Sequence, residues 1–329
     1  MPNLHTIANE LLDEIASYLG PLDTSSLLIT CHSLHFRLQS AMIRHALAPK
    51  DGIHPLHWAS ENGHLPLVKF LVTRFPVDHP CTTGSTALHA AVWGCSNNLL
   101  VNNLPVVNFL LHQGADINHI DDRGLTALHY ACRTVQTPES AEAIVRRLLA
   151  SGANIHVQGE TPPLVPLAIA LFAGRLGVAH LLLDAGADPN SRNRRGEPLV
   201  LTAARDGKVE VLELLLDFGA DINGSNRHRS NPLLLAAQYG HLAMVKALVD
   251  RGANLDCADN DGDTPLILAI ECQHKEIAEY LIGREGIDIV KANNAGETPM
   301  TLAAFEGYDV VLERLQEMHF PVNYMTDSG

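Results

Sequence analysis

Aromatic residues are scarce in this chain of 329 residues, at 5% of the sequence, and positive charge is scarce as well. Few aromatic side chains disfavour one large core and suit small helices that pack closely through Ala, Leu and Gly. The 23 Lys and Arg residues stand against 37 Asp and Glu residues, which leaves a net charge of −14. We therefore expect no general attraction to nucleic acid or to an anionic membrane surface.

Paired cysteines, a leader and a membrane-length apolar run are also missing. None of the six cysteines forms a Cys-x-x-Cys pair, which argues against a zinc module or a disulfide framework and favours a reducing compartment. No Lys or Arg precedes Arg37, the opposite of a targeting peptide. The longest apolar run, residues 164–173, is about half a membrane span. We expect a soluble protein of the cytoplasm or the nucleus.

Catalytic and metal-binding motifs are not found. The chain has no Gly-x-Ser-x-Gly elbow, phosphate loop, His-Glu-x-x-His or kinase signature. His54 with His57, and Cys31 with His32 and His35, have spacings that metal ligands use, but neither set is complete. The sequence predicts a protein that is not an enzyme and that has no metal site and no cofactor.

What the chain has instead is an internal repeat. One alanine recurs at intervals of 32 to 40 residues, and a large apolar side chain lies three positions before each copy. Self-similarity at such a period is typical of repeat proteins. The alanines are Ala59, Ala91, Ala131, Ala170, Ala203, Ala236, Ala269 and Ala303, and their companions are Leu56, Leu88, Leu128, Leu167, Val200, Leu233, Leu266 and Met300.

The residues around each alanine predict a pair of helices. Before Ala269, Gly262 turns the chain, Thr264 is suited to cap a helix, and Pro265 gives up an amide that has no helical partner. A second apolar helix follows and ends at a glycine, which accepts the left-handed conformation. These terminal glycines are Gly114, Gly152, Gly186, Gly219 and Gly252.

This pattern resembles the ankyrin repeat, with its Gly-x-Thr-Pro-Leu-His-x-Ala opening and its Gly-Ala-Asp-x-Asn close. The resemblance covers residues 51–323 as about eight repeats. It implies an all-α solenoid of helix–turn–helix repeats whose β-hairpin-like fingers and inner helices bind other proteins. It also implies that the histidine of the opening holds the turn by hydrogen bonds; the histidines at that position are His57, His89 and His129.

Several stretches depart from the ankyrin pattern. The second and third repeats contain extra residues near 96–103 and 134–140, which we expect to form loops between paired helices. Pro163 and Val165 replace the usual Gly and Thr, which predicts a distorted turn in the fourth repeat. Residues 324–329 form a short polar tail after the last repeat.

Residues 1–47 lack the ankyrin pattern and predict three short amphipathic helices. Their order of apolar and acidic residues resembles an F-box, a three-helix module that docks on the Skp adaptor of cullin–RING ubiquitin ligases. Ala8 stands where that family usually has proline. The alternative is a helical cap that only shields the first repeat. The residues that the resemblance implies for Skp docking are Glu10, Leu11, Leu12, Ile15, Leu19, Leu22, Leu27, Leu28 and Cys31.

Two consecutive fingers carry most of the clustered positive charge of this acidic chain. We call them the arginine fingers; their basic residues are Arg192, Arg194 and Arg195, then Arg227, His228 and Arg229. Arginine forks suit an acidic or phosphorylated segment of a target protein. The alternative is a set of solvated loop charges.

Three aromatic residues, Trp58, Trp93 and Tyr130, fall on the first helices of repeats one to three. One interpretation makes them anchors for a partner, because aromatic side chains often dominate interfaces. The other makes them packing residues between repeats. The sequence leaves both open.

Together these features predict a protein-interaction subunit of a Skp–cullin–F-box type ubiquitin ligase. The F-box-like segment would hold the Skp adaptor and the cullin core, and the ankyrin repeats would hold an unknown target protein. Outside that complex we expect a monomer. The alternative is an ankyrin scaffold or inhibitor without a ligase link.

Overall fold

The computed structural model of the chain describes residues 54–94, 103–133, 138–157 and 164–319. Within these ranges the regular elements are sixteen α-helices, and the described residues contain no β-strand. The chain divides into two compact units. We call them the first block, which ends at Ala185, and the second block, which begins at Gly186 apart from residues 161–164.

The first block contains eight of the helices. They are α1 (Pro55–Glu61), α2 (Leu65–Leu71), α3 (Ala87–Trp93), α4 (Leu104–His112), α5 (Ala127–Arg133), α6 (Pro138–Ala150), α7 (Pro166–Phe172) and α8 (Leu176–Asp184).

The second block contains the other eight. They are α9 (Leu199–Arg205), α10 (Val209–Asp217), α11 (Pro232–Gln238), α12 (Leu242–Asp250), α13 (Pro265–Glu271), α14 (Lys275–Ile282), α15 (Pro299–Glu306) and α16 (Asp309–His319).

The recurring alanines mark the core of both blocks. Each lies on the first helix of a pair, and none is more than 2% exposed. Consecutive first helices of a block pack side by side, as α1 does with α3 and α9 with α11. Because alanine has the smallest apolar side chain, these helices approach closely. The apolar companions are buried as well, except Met300, which is half-buried on α15.

Local capping explains where the first helices begin. Thr264 accepts a hydrogen bond from the Ile267 amide at 3.3 Å, and Asn231 accepts one from the Leu234 amide at 2.9 Å. Val165 offers no such bond at the start of α7, yet α7 still begins at Pro166. Proline in the first turn therefore starts a helix that lacks a side-chain cap.

The glycines that close the second helices have the left-handed conformation that the sequence predicts; Gly186 has φ +92° and Gly252 has φ +80°. The insertion at 134–140 differs from prediction, because residues 138–140 form the first turn of α6 rather than a loop. Pro138 has its φ preset for that turn, and Glu139 complements the positive end of the helix dipole. α6 is thereby 13 residues long.

Several predictions concern residues outside the described ranges. They include the helical segment 1–47, the tail 324–329, Pro163 and the inserted residues 96–102 and 134–137. Among the helices that are described, none combines the length and the apolar character that a membrane crossing requires.

Candidate protein-interaction surfaces

Each arginine finger of the second block is a tight turn built on one asparagine. The Asn193 side-chain oxygen accepts from the amides of Arg195 at 2.8 Å and Glu197 at 3.1 Å. The Asn226 oxygen accepts from the amides of His228 at 2.9 Å and Ser230 at 3.1 Å. These bonds fix the backbone of the fingers and leave the flanking basic side chains exposed.

All six predicted basic residues are exposed on consecutive fingers of the second block: Arg192, Arg194, Arg195, Arg227, His228 and Arg229. Arg192 donates to the Gly196 carbonyl at 2.6 Å, and the Arg227 Nε donates to the His228 ring at 3.2 Å. These contacts are local to each finger. The guanidinium groups of Arg192 and Arg227 have five donors each, more than these bonds use.

Arg229 has an unusual backbone. It has φ +61°, in the left-handed region. The equivalent position of neighbouring fingers is a glycine with the same conformation, as at Gly196, Gly262 and Gly296. A side chain there is disfavoured because its Cβ crowds the backbone. The second block therefore carries an exposed arginine at a position where glycine is less strained.

A partly buried ion pair supports the first arginine finger. Arg205, the last residue of α9, donates to both carboxylate oxygens of Glu197, at 3.0 and 3.1 Å. The Asn193 side-chain amide donates to the same carboxylate at 3.1 Å. Burial alone would raise the pKa of Glu197, but these donors and the positive charge of Arg205 hold it below its ordinary value. The positive charge of Arg205 is thus balanced by a carboxylate of its own repeat.

The finger after the arginine fingers is acidic. The backbone amide of Asn260 joins the acidic finger to the second arginine finger by donating to the His228 carbonyl at 3.1 Å. The acidic finger contains Asp259, Asp261 and Asp263, whose carboxylate oxygens lie within 4.8 Å of one another. Burial and the charges of the other two raise the pKa of Asp263.

Such a carboxylate set is of the kind that divalent cations bind. The Asp259 side chain, however, accepts from the amides of Asp261 and Asp263 at 2.9 and 3.0 Å, and Asp263 accepts from the Asn293 side chain at 2.8 Å. The Asp259 bonds build the finger turn itself, and the Asp263 bond joins it to the next finger, so two of the three carboxylates already have a structural role.

In the first block the three predicted histidines hold neighbouring fingers, as the family resemblance implied. The Nε2 of His57 donates to the Ser85 carbonyl at 2.7 Å, and that of His89 donates to the Leu125 carbonyl at 3.1 Å. His129 does the same to the Val157 carbonyl at 3.1 Å. Burial lowers the pKa of His89 to about 4, so the ring is neutral in its bonded form.

A cavity of about 470 Å³ lies in the first block between two fingers and the ends of α1, α3 and α5. Trp93 and Tyr130 line it and meet edge to face, with ring centroids 5.4 Å apart. These two aromatic residues therefore pack between repeats, as one interpretation of the sequence predicts, and they also line a cavity; a role as anchors for a partner stays a prediction. Trp58 does not line the cavity; its ring lies 5.3 Å from that of His64.

Two cavity residues were missed by sequence reasoning. Glu61 and Arg133 are the last residues of α1 and α5, and both line the cavity beside Trp93, the last residue of α3. A signal was available, because all three residues lie two positions after a recurring alanine. The nine predicted Skp-docking residues, from Glu10 to Cys31, lie outside the described residues.

A model of the ankyrin-repeat family, described as ankyrin repeats in three copies, matches the chain in five overlapping stretches. They are residues 14–101, 98–193, 167–259, 199–293 and 253–324. The first stretch begins inside the segment 1–47 that the sequence set apart from the repeats.

Solved structures of ankyrin domains superpose on much of the chain. The ankyrin repeat domain of Bcl-3, described as a unique member of the IkappaB protein family, has a TM-score of 0.61 and 29% identity. It is covered completely and matches 71% of this chain. The human ASB11 ankyrin repeat domain has a TM-score of 0.57 at 24% identity, covers 70% of this chain and is itself covered to 99%. At that identity the second likeness concerns the fold alone.

Curated relatives match over shorter stretches. The putative palmitoyltransferase ZDHHC13 of Danio rerio is 29% identical over 148 residues, which are 44% of this chain and 21% of the relative. The ankyrin repeat protein nuc-2 of Neurospora crassa is 29% identical over 186 residues, which are 50% of this chain and 16% of the relative. The chain spans about a fifth of these proteins or less. The palmitoyltransferases match only through their ankyrin region, so the match carries no transferase activity to this chain.

Proposed function

The chain belongs to the ankyrin-repeat family and is built as a protein-interaction module, and from that premise we propose that it is the target-recognition subunit of a Skp–cullin–F-box type ubiquitin ligase. In this proposal residues 1–47 bind a Skp-family adaptor. The arginine fingers bind an acidic or phosphorylated segment of the target. The chain itself performs no chemistry; it raises the effective concentration of target lysines beside the ligase.

The observation that carries target recognition is the backbone of Arg229. A left-handed conformation costs a non-glycine residue roughly 1–2 kcal/mol relative to its relaxed state. Glycine occupies this position in the neighbouring fingers, so the turn does not require an arginine there. Strain that the fold does not need is typical of functional sites. The strained backbone of Arg229 places an exposed guanidinium group on the finger.

The charge order of the second block supports an oriented, charged target. The two arginine fingers are followed directly by the finger of Asp259, Asp261 and Asp263. Guanidinium groups bind carboxylates and phosphates through paired hydrogen bonds, and the neighbouring carboxylates repel the same ligand. An acidic segment would therefore bind at the arginine fingers and not beside them.

The ligase half of the proposal is supported by the sequence of residues 1–47. Leucines, Ile15 and Glu10 follow the order of the F-box pattern, with Ala8 as a departure from it. The alternative is an ankyrin scaffold or inhibitor whose N-terminal helices only cap the solenoid. The two differ in whether the chain captures a Skp adaptor.

Target recognition is tested with fluorescein-labelled hexaglutamate and a phosphoserine peptide as probes. Arg229→Gly should leave the free energy of unfolding unchanged or raise it by up to about 1 kcal/mol, because strain is released. The same change should weaken binding of both probes in a salt-dependent way. The matched control is Arg227→Gly, whose backbone is not left-handed: it should weaken binding without stabilising the fold. Unaltered binding in Arg229→Gly and in the double variant Arg194→Glu with Arg195→Glu would show that these residues are only solvated loop charges.

The ligase link is tested by capture of a purified Skp adaptor on the full chain. Capture should be abolished by Ile15→Asp, which places a charge on the apolar docking face, while the ankyrin circular dichroism stays unchanged. The arginine-finger variants should capture the adaptor normally. Failure of the full chain and of residues 1–50 to bind the adaptor would leave the scaffold or inhibitor function in its place.

A further inference from the structure

The cavity of the first block is walled by flat, hydrogen-bonded groups. Tyr130 meets both Trp93 and His89 edge to face, with centroids 5.4 and 5.6 Å apart. The Tyr130 hydroxyl donates to Asp121 at 2.6 Å, and Asp121 also accepts from the amides of Arg123 and Leu125 at 2.9 and 2.8 Å. These polar atoms are already paired, so the walls offer ring faces and edges to a ligand.

Arg133 is one of four charged residues that line the cavity; the others are Glu61, Asp121 and Arg123. Its guanidinium lies over the Trp93 ring, 5.4 Å from the centroid, which orients it. The structure shows no hydrogen bond or ion pair between Arg133 and any described residue. Arg133 is exposed. Its donors are therefore oriented and unoccupied with respect to the described part of the chain.

The second block shows what an arginine at this position binds. Arg205 and Arg133 both end a first helix, two residues after the recurring alanine. Arg205 is paired with Glu197, six residues before its alanine. The residue six before Ala131 is Leu125, which has no carboxylate. The first block thus keeps the arginine of the pair and lacks the acid.

We propose that the cavity binds a short segment of a partner protein in which an aromatic side chain lies next to a carboxylate. The ring packs against Trp93 and Tyr130, and the carboxylate binds Arg133 as Glu197 binds Arg205. A volume of about 470 Å³ is in the range of pockets that hold small ligands and is ample for one aromatic side chain. The site uses neither residues 1–47 nor the arginine fingers, so this proposal can be tested independently of the proposed ligase function.

A peptide library displayed on phage, selected on the full chain, identifies the preferred segment. The expected consensus has an aromatic residue within two positions of Asp or Glu, and the Arg133→Gln variant should not retain those phages. The control is Arg146→Gln on α6, where the arginine is exposed and lies 4.0 Å from Glu142. A consensus without the acidic residue, no consensus, or equal retention by Arg133→Gln would overturn the proposal.

The selected peptide is then measured by tryptophan fluorescence. The chain has two tryptophans, so Trp58→Phe leaves Trp93 as the sole reporter inside the cavity. We expect a saturable change and at least about tenfold weaker binding when the peptide acid is replaced by its amide, because charge-assisted bonds are the strong ones.

Two variants make this measurement decisive. In Arg133→Gln the acid and amide peptides should bind equally. Leu125→Glu should supply an internal partner for Arg133 and remove peptide binding while the helical circular dichroism is retained. A fluorescence response that is unsaturable, or that Arg133→Gln leaves intact, would contradict the assignment.

Discussion

The two blocks join their repeats through histidines that point in opposite directions along the chain. In the first block the histidine two residues before the recurring alanine donates forward to a carbonyl of the next finger; the three bonds are His57 to Ser85, His89 to Leu125 and His129 to Val157. In the second block the same position is Leu201, Leu234, Ile267 or Thr301, none of them histidine. There the histidine that precedes a second helix donates backward; the bonds are His241 to Arg205 and His274 to Gln238, at 2.8 and 3.0 Å.

The difference shows that ankyrin repeats can pair the open carbonyls of a neighbouring repeat in two ways. Each way makes the stability depend on a different property. Every repeat must pair carbonyls that its neighbour leaves open. The first block does so with buried rings, two of which line the cavity, and burial makes its stability depend on proton concentration. The second block does so with rings pressed against glycine, which makes its stability depend on backbone volume. Each consequence can be measured separately.

The largest expected effect is that acid opens the first block before the second. Burial lowers the pKa of His89 to about 4, and burial lowers the pKa of His57 as well. Unfolded histidines titrate near 6.5, so below that pH the unfolded state binds more protons and stability falls between pH 6.5 and 4. For His89, which is almost fully buried, complete titration corresponds to about 3 kcal/mol. Hydrogen exchange at pH 7 and 4.5, corrected for the intrinsic rates, measures each block.

The second block should respond less to acid because its resolved carboxyl shifts oppose one another. Burial raises the pKa values of Asp263 and Glu271, which favours the folded state on acidification, whereas Glu197 has a lowered pKa with the opposite effect. In the described part of the first block only the raised pKa of Glu61 opposes the lowered pKa values of the histidines, which are His54, His57, His64 and His89. Faster exchange in the second block than in the first at pH 4.5 would contradict this prediction.

The next effect concerns the forward histidines themselves. His89→Leu, which installs the apolar residue found at Leu201 and Leu234, should cost about 2–3 kcal/mol. It leaves the Leu125 carbonyl and the buried Thr86 amide and hydroxyl without the partner they now have. Urea unfolding measures the loss. The control His180→Leu removes an exposed histidine of α8 and should change stability by under about 0.5 kcal/mol; an equal loss in both would show that the bonds of His89 contribute little.

The backward histidines are tested through glycine. Gly240 and Gly252 both have φ +80°, but a Cβ on Gly240 would lie 2.5 Å from the His274 ring, whereas nothing lies within 4 Å of one on Gly252. Gly252→Ala should cost about 1 kcal/mol for its backbone alone. Gly240→Ala should cost about 1–2 kcal/mol more through overpacking. In a His274→Ala background the two substitutions should become equal, and persistence of the difference would count against the steric explanation.

The smallest effect separates two arginines at one repeat position. Arg205→Gln should destabilise the chain by about 1–2 kcal/mol, because it leaves the partly buried Glu197 without its main partner. Arg133→Gln should stay within about 0.5 kcal/mol, since its guanidinium has no carboxylate among the described residues. Chemical denaturation at neutral pH compares them. A loss of the same size in Arg133→Gln would show instead that the stacking of Arg133 on Trp93 stabilises the fold.

Much of the fold is predictable because its signals are local. Thr264 caps its helix, Gly186 and Gly252 take up left-handed turns, and Ala59 to Ala303 are buried, all as the repeat pattern predicts. The positions of the basic side chains on exposed fingers follow from the same pattern. The turn of α6 at residues 138–140 does not, because the extra length there could be taken up equally as loop or as helix.

The cavity and the backbone conformation of Arg229 could not be predicted from the repeat pattern. The repeat pattern shows where Arg229 lies but not that its backbone remains left-handed with a side chain present. Arg133 and Trp93 are 40 residues apart in the sequence, and only the packing of α3 against α5 brings the guanidinium over the indole.

The sequence by itself determined the repeat period, the glycine ends of the second helices and the ankyrin family, since each depends on residues within one turn or one repeat. Tertiary structure alone decided which donors pair with which carbonyls and which arginine is neutralised. Arg205 and Arg133 occupy the same place in their repeats, and their difference arises from what the finger beside each of them presents. Pairing depends on neighbours in space, and these are set only when adjacent repeats pack.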